Sequence, residues 1–417
     1  MSVGLSAVFW GVITLSVLVL LHEGGHFLAA RAFGIRVREF MVGLPGPKIS
    51  WNRKGTLYGV TAIPLGGYVK VVGMEGDQHN PLIEPVLAYI TAKQTISLDD
   101  LATRFNTDAN HMYTIIVALK DLQAVTLDKE GIIHASFPQD DAEDPDRLFE
   151  TARADSYLTI PTWKRIAILL AGIIFNIVAA LIVFTIVLAG WGTLQDVGLI
   201  DPVADSPAAQ AGIPEGARIT NIEGVGVSSF DELTTQIQTY QIGDSISLNY
   251  EFEGHAHEVT VQLARHPDSE TPFLGVSPHF VNVPLSVGEA LKMSFSFLWL
   301  TVGGIIGFFT PGNFSESINN SASVVGIAVY AAEAARAGAI EYAGLIAAIS
   351  LSLGLMNLLP IPPLDGGKIV LEIIEKIRKK PLPMSVSLGI SAIGFLLLFT
   401  LMGYLIFHDI SRFIIGS

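Results

Sequence analysis

Long runs without charge set the first limit on what this chain can fold into. Residues 3–21 and 386–407 carry no charged side chain, and 165–190 and 339–359 carry one each, Arg165 and Glu341. A helix of about 20 apolar residues is long enough to cross the hydrocarbon of a bilayer. Half of the 417 residues are apolar, and they are clumped between polar stretches, as in an integral membrane protein with soluble modules. We therefore expect about four spans, near 4–30, 165–190, 339–359 and 386–407. A fifth run, 293–309, is nearly long enough, but its Ser294, Ser296, Thr301, Gly303, Gly304 and Gly307 suit a partly embedded surface helix. Residues 3–21 could pass for a signal peptide. No Lys or Arg precedes them and no small-residue cleavage site follows, so a retained span is expected.

Charge placement orients the spans. Arg31, Arg36, Arg38, Lys48, Arg53, Lys54 and Lys70 follow the first, Lys164 and Arg165 open the second, and Lys368, Lys376, Arg378, Lys379 and Lys380 separate the last two. The positive-inside rule places these regions in the cytoplasm and leaves the N-terminus and residues 191–338 outside. Were 293–309 to cross, the third span would carry Lys368 and Lys376–Lys380 to the opposite face. The net charge of −14 argues against a nucleic-acid partner. With no cysteine, any metal must be held by His and carboxylate groups.

Between the spans, strand-like and helical patterns alternate. After a first span over 1–34, residues 35–80 read as a membrane-associated β element with strands at 36–42, 57–63 and 68–72, punctuated by Pro45, Gly46, Pro47, Pro64, Gly66 and Gly67. Open strand edges cannot face lipid, so this element must pack on helices or accept a strand partner. Residues 81–137 read helix, helix, hairpin, a small cytoplasmic winged-helix-like insertion. Its Lys93, Arg104, Lys120 and Lys129 are outnumbered by Glu84, Asp99, Asp100, Asp108, Asp121, Asp128 and Glu130, so a protein partner suits it better than DNA. Residues 138–160 read as an acidic, mobile linker and 161–192 as the second span. Residues 193–280, with Ser206-Pro207-Ala208-Ala209-Gln210-Ala211-Gly212-Ile213 and a helix over 229–239, resemble an external PDZ domain of α+β type. An external amphipathic region (281–338), the third span with its following motif (339–380) and the fourth span (381–417) complete a polytopic α-helical membrane protein.

The chemistry lies where the apolar runs are interrupted. His22, Glu23, Gly24, Gly25 and His26 end the first run. Residues four apart on a helix differ by about 40° around its axis, so both imidazoles can reach one tetrahedral Zn²⁺, with Glu23 placed to take a proton from water. Ionisable residues in a span are costly and functional by default. Adjacent glycines each cost a helix about 1 kcal/mol against Ala, which suggests that something approaches the backbone closely there. A catalytic zinc takes three protein ligands. Asp365, in Asn357-Leu358-Leu359-Pro360-Ile361-Pro362-Pro363-Leu364-Asp365-Gly366-Gly367, ends the third span on the same side and is the best third ligand. His255 and His257 alternate beside Glu258 on an expected strand and read as solvated polar residues. His79, His111 and His134 are scattered and get no role.

HEGGH at 22–26, IPLGGYVK at 63–70, AGIIFN at 171–176, the PDZ-like stretch and NLLPIPPLDGG at 357–367 together resemble the site-2 protease family, in its bacterial RseP-like branch. The resemblance covers nearly all of the chain outside 81–137. It implies an intramembrane zinc endopeptidase with His22, His26 and Asp365 as zinc ligands and Glu23 as general base. It also implies that the β element pairs with an unfolding substrate, and that Asn176, Asn357, Gly66 and Gly67 lie where substrate binds. The expected partners are the lipid bilayer and single-span membrane proteins, such as anti-sigma factors or remnant signal peptides. Ile173 departs from the family, which usually has Pro there, and the Gly43–Pro47 loop is one residue longer than usual. A membrane scaffold that has lost proteolysis is the competing class; a transporter would need internal repeats, which are missing.

Overall fold

The first apolar run forms one unbroken helix, α1 (Val3–Ala32), which carries HEGGH without interruption and has Arg31 in its last turn. The computed structural model describes residues 3–63, 66–74, 80–267, 269–310, 312–319 and 321–412. His79, Pro64 and the Pro64-Leu65 part of the 63–70 motif lie outside the described residues.

Four strands follow α1: β1 (Val37–Val42), β2 (Lys48–Arg53), β3 (Thr56–Thr61) and β4 (Gly67–Val71). They form one sheet in the order β2-β3-β1-β4, with β1 parallel to β3 and antiparallel to β4. The sequence reading expects three strands here. The additional one, β2, is exposed along its whole length, and its alternation rests on only two apolar residues, Ile49 and Trp51, which follow the Pro- and Gly-rich 43–47 turn. Glu39 links three of the strands: its carboxylate accepts from Lys48 Nζ at 2.8 Å and from the Tyr68 hydroxyl at 2.8 Å.

The insertion contains α2 (Ile83–Lys93), β5 (Thr95–Ser97), α3 (Leu98–Arg104), α4 (Ala109–Asp121), β6 (Val125–Leu127) and β7 (Ile132–Ala135). Its sheet runs β5-β7-β6, one short strand more than the expected hairpin. Ser97 and Asp108 cap α3 and α4, and Leu87, Ile90, Leu101, Ile115, Leu119 and Ile133 form the core. The expectation of a mobile linker over 138–160 is corrected. Residues Gln139–Glu143 form a 3₁₀ turn, and α5 (Pro145–Arg153) buries Leu148 and Ala152 in the insertion's core. Exposed Asp146, Arg147 and Glu150 cover the other side of α5, which conceals its apolar face from a reading of composition. Arg36 ties β1 to this helix through the carbonyls of Ala152 (3.1 Å) and Ala154 (2.7 Å), and Asp121 accepts from the Gly73 N–H at 2.8 Å.

After α6 (Thr162–Gly190), residues 185–292 form a second compact unit. Its elements are β8 (Thr193–Pro202), α7 (Pro207–Gln210), β9 (Arg218–Ile222), β10 (Val225–Gly226), α8 (Phe230–Ile237), β11 (Ser245–Phe252), β12 (His255–Gln262), β13 (Ala264–Arg265), β14 (Pro272–Phe273) and β15 (Val276–Val283). A sheet in the order β10-β9-β11-β12 and an antiparallel β8–β15 pair enclose Ile219, Ile222, Leu233, Ile246, Leu248 and Val261. The ladder runs to Val283, three residues beyond the expected boundary at 280.

The remaining helices are α9 (Val287–Gly307), α10 (Phe314–Asn319), α11 (Val324–Ala337), α12 (Ala339–Asn357), α13 (Asp365–Arg378) and α14 (Met384–Ile410). Five helices among the described residues are long and apolar enough to cross a membrane, namely α1, α6, α9, α12 and α14. The sequence reading counts four and treats α9 as a surface helix. The helix α9 begins at Val287 rather than 293, and the added turns carry Glu289 and Lys292. The Thr301 hydroxyl donates to the Phe297 carbonyl within the helix and Ser294 is buried, whereas Ser296, Gly303 and Gly304 are exposed, so α9 is a candidate span by length and composition alone. Phe297 packs against Phe184 of α6 with centroids 5.1 Å apart. The region expected to be externally amphipathic also holds α11, which lies along α1: an added Cβ at Gly11 would meet Ala328 Cβ at 2.7 Å. Buried Asp409 of α14 caps α11 by accepting from the N–H groups of Ser323 (2.7 Å) and Gly326 (3.2 Å).

Candidate metal centre

Three buried side chains from distant parts of the chain converge where α1, α6 and α13 meet. Asp365 Oδ2 lies 2.9 Å from His22 Nε2 and 3.0 Å from His26 Nε2, and the two imidazole nitrogens are 3.2 Å apart. His22, His26 and Asp365 are the one group of three or more such side chains with this spacing among the described residues.

Each partner is held by its own backbone. His22 and His26 occupy successive turns of one face of α1, as their spacing dictates. Asp365 is the first residue of α13, where the positive end of the helix dipole favours a carboxylate. Gly366 and Gly367 let that helix start fold against the 358–362 backbone: a Cβ at Gly366 would collide with the Leu358 carbonyl, and one at Gly367 with Pro362. Tyr157 and Arg165 engage Glu372 two turns further along α13, at 3.2 and 3.4 Å.

The donor set fits a zinc ion. The Ile168 carbonyl, 2.8 Å from His26 Nδ1, can only accept, so that nitrogen carries the proton and Nε2 presents a lone pair. A carboxylate oxygen and a second imidazole nitrogen face the same point, an arrangement that repels unless a cation sits among them. A tetrahedral ion with bonds of about 2.0–2.1 Å holds its ligand atoms about 3.3 Å apart, close to the observed triangle, and three ligands leave a fourth position. Asn176 adds a further sign. Its Nδ2 is 3.4 Å from His22 Nδ1, and its buried Oδ1 has no hydrogen-bond partner. An amide turned to present the oxygen would accept from the Nδ1–H that a metal-binding His22 must carry, satisfying both groups.

The sequence-derived positions divide into those at this cluster and those beside it. Glu23 follows His22, and its Oε2 accepts from the Val69 N–H at 3.0 Å, which ties it to the edge strand β4. Gly66 and Gly67 open β4 against Val19 of α1; Gly66 has φ +82°, a conformation natural to glycine. Asn176 reaches His22. Asn357 does not hydrogen-bond to the cluster: its amide donates to the Leu353 carbonyl of its own helix at 3.0 Å. His255 and His257 lie exposed on β12, and His257 stacks on Tyr250. His111 and His134 contact Asn80 and Asp128 at the surface.

Sequence reasoning passed over Gly172. A Cβ there would lie 2.5 Å from His26 Nε2 and 3.0 Å from His22 Cε1, so only glycine leaves room for both imidazoles. The close approach expected at Gly24-Gly25 occurs at Gly25 alone, where a Cβ would meet the Ala171 carbonyl at 2.5 Å; nothing lies within 4 Å of one at Gly24. Opposite them, Ser350 donates to the Asn176 carbonyl at 3.0 Å, and Gly354 sits against Ile173 and Asn176. Small residues four apart, at 350 and 354, allow such close helix contact.

With this geometry established, comparison with known proteins gives a consistent picture. Two solved structures are similar to about a fifth of this chain. They are the PDZ domains of SdrC-like proteins from Listeria monocytogenes (25% identity, 21% of this chain, 90% of that chain, TM-score 0.19) and Listeria innocua (26%, 20%, 94%, TM-score 0.19). Over nearly the whole length, the zinc metalloprotease RasP of Shouchella clausii is 30% identical across 423 residues, 95% of this chain and 97% of that protein. A Staphylococcus aureus relative is 30% identical across 431 residues, 96% of this chain and 97% of its own. The profile of peptidase family M50 matches residues 10–401, and the chain accordingly belongs to that family as a site-2-type zinc metalloprotease.

Proposed function

We propose that this multi-pass membrane protein is an intramembrane endopeptidase that hydrolyses peptide bonds within the membrane segments of single-span proteins. The observation that carries this reading is the origin of the site. Two of its three metal-binding groups belong to a helix apolar enough to cross a bilayer, and the third begins eight residues after another such helix, α12, ends. His22, His26 and Asp365 hold zinc, which when bound supplies Lewis-acid chemistry and brings water to reactivity near neutral pH. Glu23 takes the proton of the attacking water and returns it to the leaving amine. Asn176 and the Ile168 carbonyl keep the two imidazoles in the required tautomers.

A helical substrate hides its carbonyls in internal hydrogen bonds, so cleavage needs an unwound segment. The edge strand β4 lies beside Glu23 and is the natural place for such a segment to add as a strand. Gly66 and Gly67 leave its start free of side chains on the side of Val19. The charge distribution favours a site toward the cytoplasm and a PDZ-like second unit outside, where it would admit substrates already trimmed. Anti-sigma factors and remnant signal peptides fit that description. The net-negative, winged-helix-like insertion serves as a docking module for a regulatory protein.

The test uses full-length protein in lipid with a tagged single-span reporter, the products being mapped by mass spectrometry. The reading predicts cleavage within the reporter's apolar segment by wild type and none by Glu23→Gln. Equal processing by both proteins, or cuts confined to the soluble part, would overturn it.

A further inference from the structure

The cationic end of α1 and the β2–β3 hairpin flank an open depression of about 260 Å³, lined by Phe27, Arg31, Arg53, Lys54 and Tyr58. We propose that this depression is a binding site for the headgroup of an anionic phospholipid.

Arg31 stands in the last turn of an apolar helix long enough to span, which brings it to the level where that helix leaves the hydrocarbon. Its charge complements the helix C-terminus, which accounts for Arg31 alone. Arg53 and Lys54 come from elsewhere. Arg53 pairs with Thr56 around a two-residue turn in which Lys54 and Gly55 have φ of 51° and 80°, and the Gly55 N–H donates to Asn52 Oδ1 at 3.2 Å. That is the geometry of a tight hairpin, so the two cations are presented by a firm tip. No carboxylate lines the depression, and none lies within ion-pair distance of the three cations among the described residues. Three exposed cations with no carboxylate among them leave the local potential positive, which attracts an anion.

The surroundings decide which anion. Alternation along β2 puts Ile49, Trp51 and Arg53 on one face. Ile49 and Trp51 are among the most exposed apolar side chains of the protein, at 84% and 60%. Trp51 stacks beside Tyr58 (centroids 6.3 Å apart), and Tyr58 in turn lies 5.9 Å from Phe27. One face therefore passes from bare apolar groups, through an aromatic band, to a three-cation pocket. This sequence of chemistry matches an acyl chain, an interface and a phosphate, whereas a free phosphate would have no use for the apolar part.

The test extracts the full-length protein from vesicles of equal parts phosphatidylglycerol and phosphatidylcholine and counts retained lipid by native mass spectrometry. Wild type should retain phosphatidylglycerol preferentially, and each charge neutralised in R31Q, R53Q and K54Q should lower that retention roughly 5-fold without altering phosphatidylcholine. The charge-keeping R31K/R53K/K54R variant should resemble wild type. Equal retention of the two lipids by wild type would overturn the proposal without reference to any variant. So would undiminished phosphatidylglycerol in the triple Gln variant, or its displacement by an equal concentration of inorganic phosphate.

Discussion

Asp365 Oδ2 lies 2.9 Å from His22 Nε2 across 343 residues of sequence, and this contact joins the chain's first apolar helix to the first residue of α13. Everything that shapes the site serves to let α1, α6 and α13 approach closely enough for it. Glycines do much of this: Gly25 and Gly172 where α1 crosses α6, and Gly366 and Gly367 where α13 turns back on the 358–362 segment.

Gly172 and Gly24 should therefore respond in opposite ways to a methyl group. Gly172→Ala sets a Cβ against His26 Nε2 and should lower zinc affinity by at least roughly 10-fold, the scale of a disturbed metal shell. Gly24→Ala meets open space in a helix and should keep zinc while gaining up to about 1 kcal/mol. Zinc titration and thermal unfolding of both variants check this; equal zinc binding in the two would contradict it.

Asn176 acts on the metal through His22 in this account. Asn176→Ala should weaken zinc binding roughly 10–100-fold, while Asn176→Asp, which keeps an acceptor toward Nδ1, should recover much of the loss. Zinc dissociation constants for the pair distinguish this from a contact made only with substrate, for which kinetic constants alone would change.

Glu39 offers a pH test of the β element. Burial alone would raise its carboxyl, but hydrogen bonds from Lys48 and Tyr68 and the nearby Arg38 outweigh that and hold it below its ordinary value. A depressed carboxyl stabilises the fold above the unfolded value and loses that contribution as pH falls through the folded one. Protection of β1 and β4 amides against hydrogen exchange should then fall as the medium is acidified below about pH 4.5, near the ordinary Glu value. The Glu39→Gln variant should be weaker at neutral pH and flat across that interval. An unchanged acid response in Glu39→Gln would assign it to other groups.

Much of this architecture was legible in the amino-acid order because long apolar runs and a four-residue histidine spacing are strong, local signals. Asp365 could be placed near His22 and His26 from charge asymmetry, and in the structure the three meet. What escaped was set by packing. β2 is exposed on both faces and shows only two alternating apolar residues, Ile49 and Trp51, and α5 sets Leu148, Phe149 and Ala152 among charged residues of both signs. Gly172 was one glycine among many until the imidazoles beside it were seen.

The central claim is that His22, His26 and Asp365 form a metal site on which Glu23 acts without being a ligand. Zinc content and reporter cleavage, measured together on the purified full-length protein, test it most directly. Wild type should hold stoichiometric zinc and cleave. Glu23→Gln should hold the same zinc and lose cleavage by roughly 10²–10⁴-fold, and Asp365→Asn should lose both zinc and cleavage. An Asp365→Asn protein that keeps full zinc and cleavage would contradict the account.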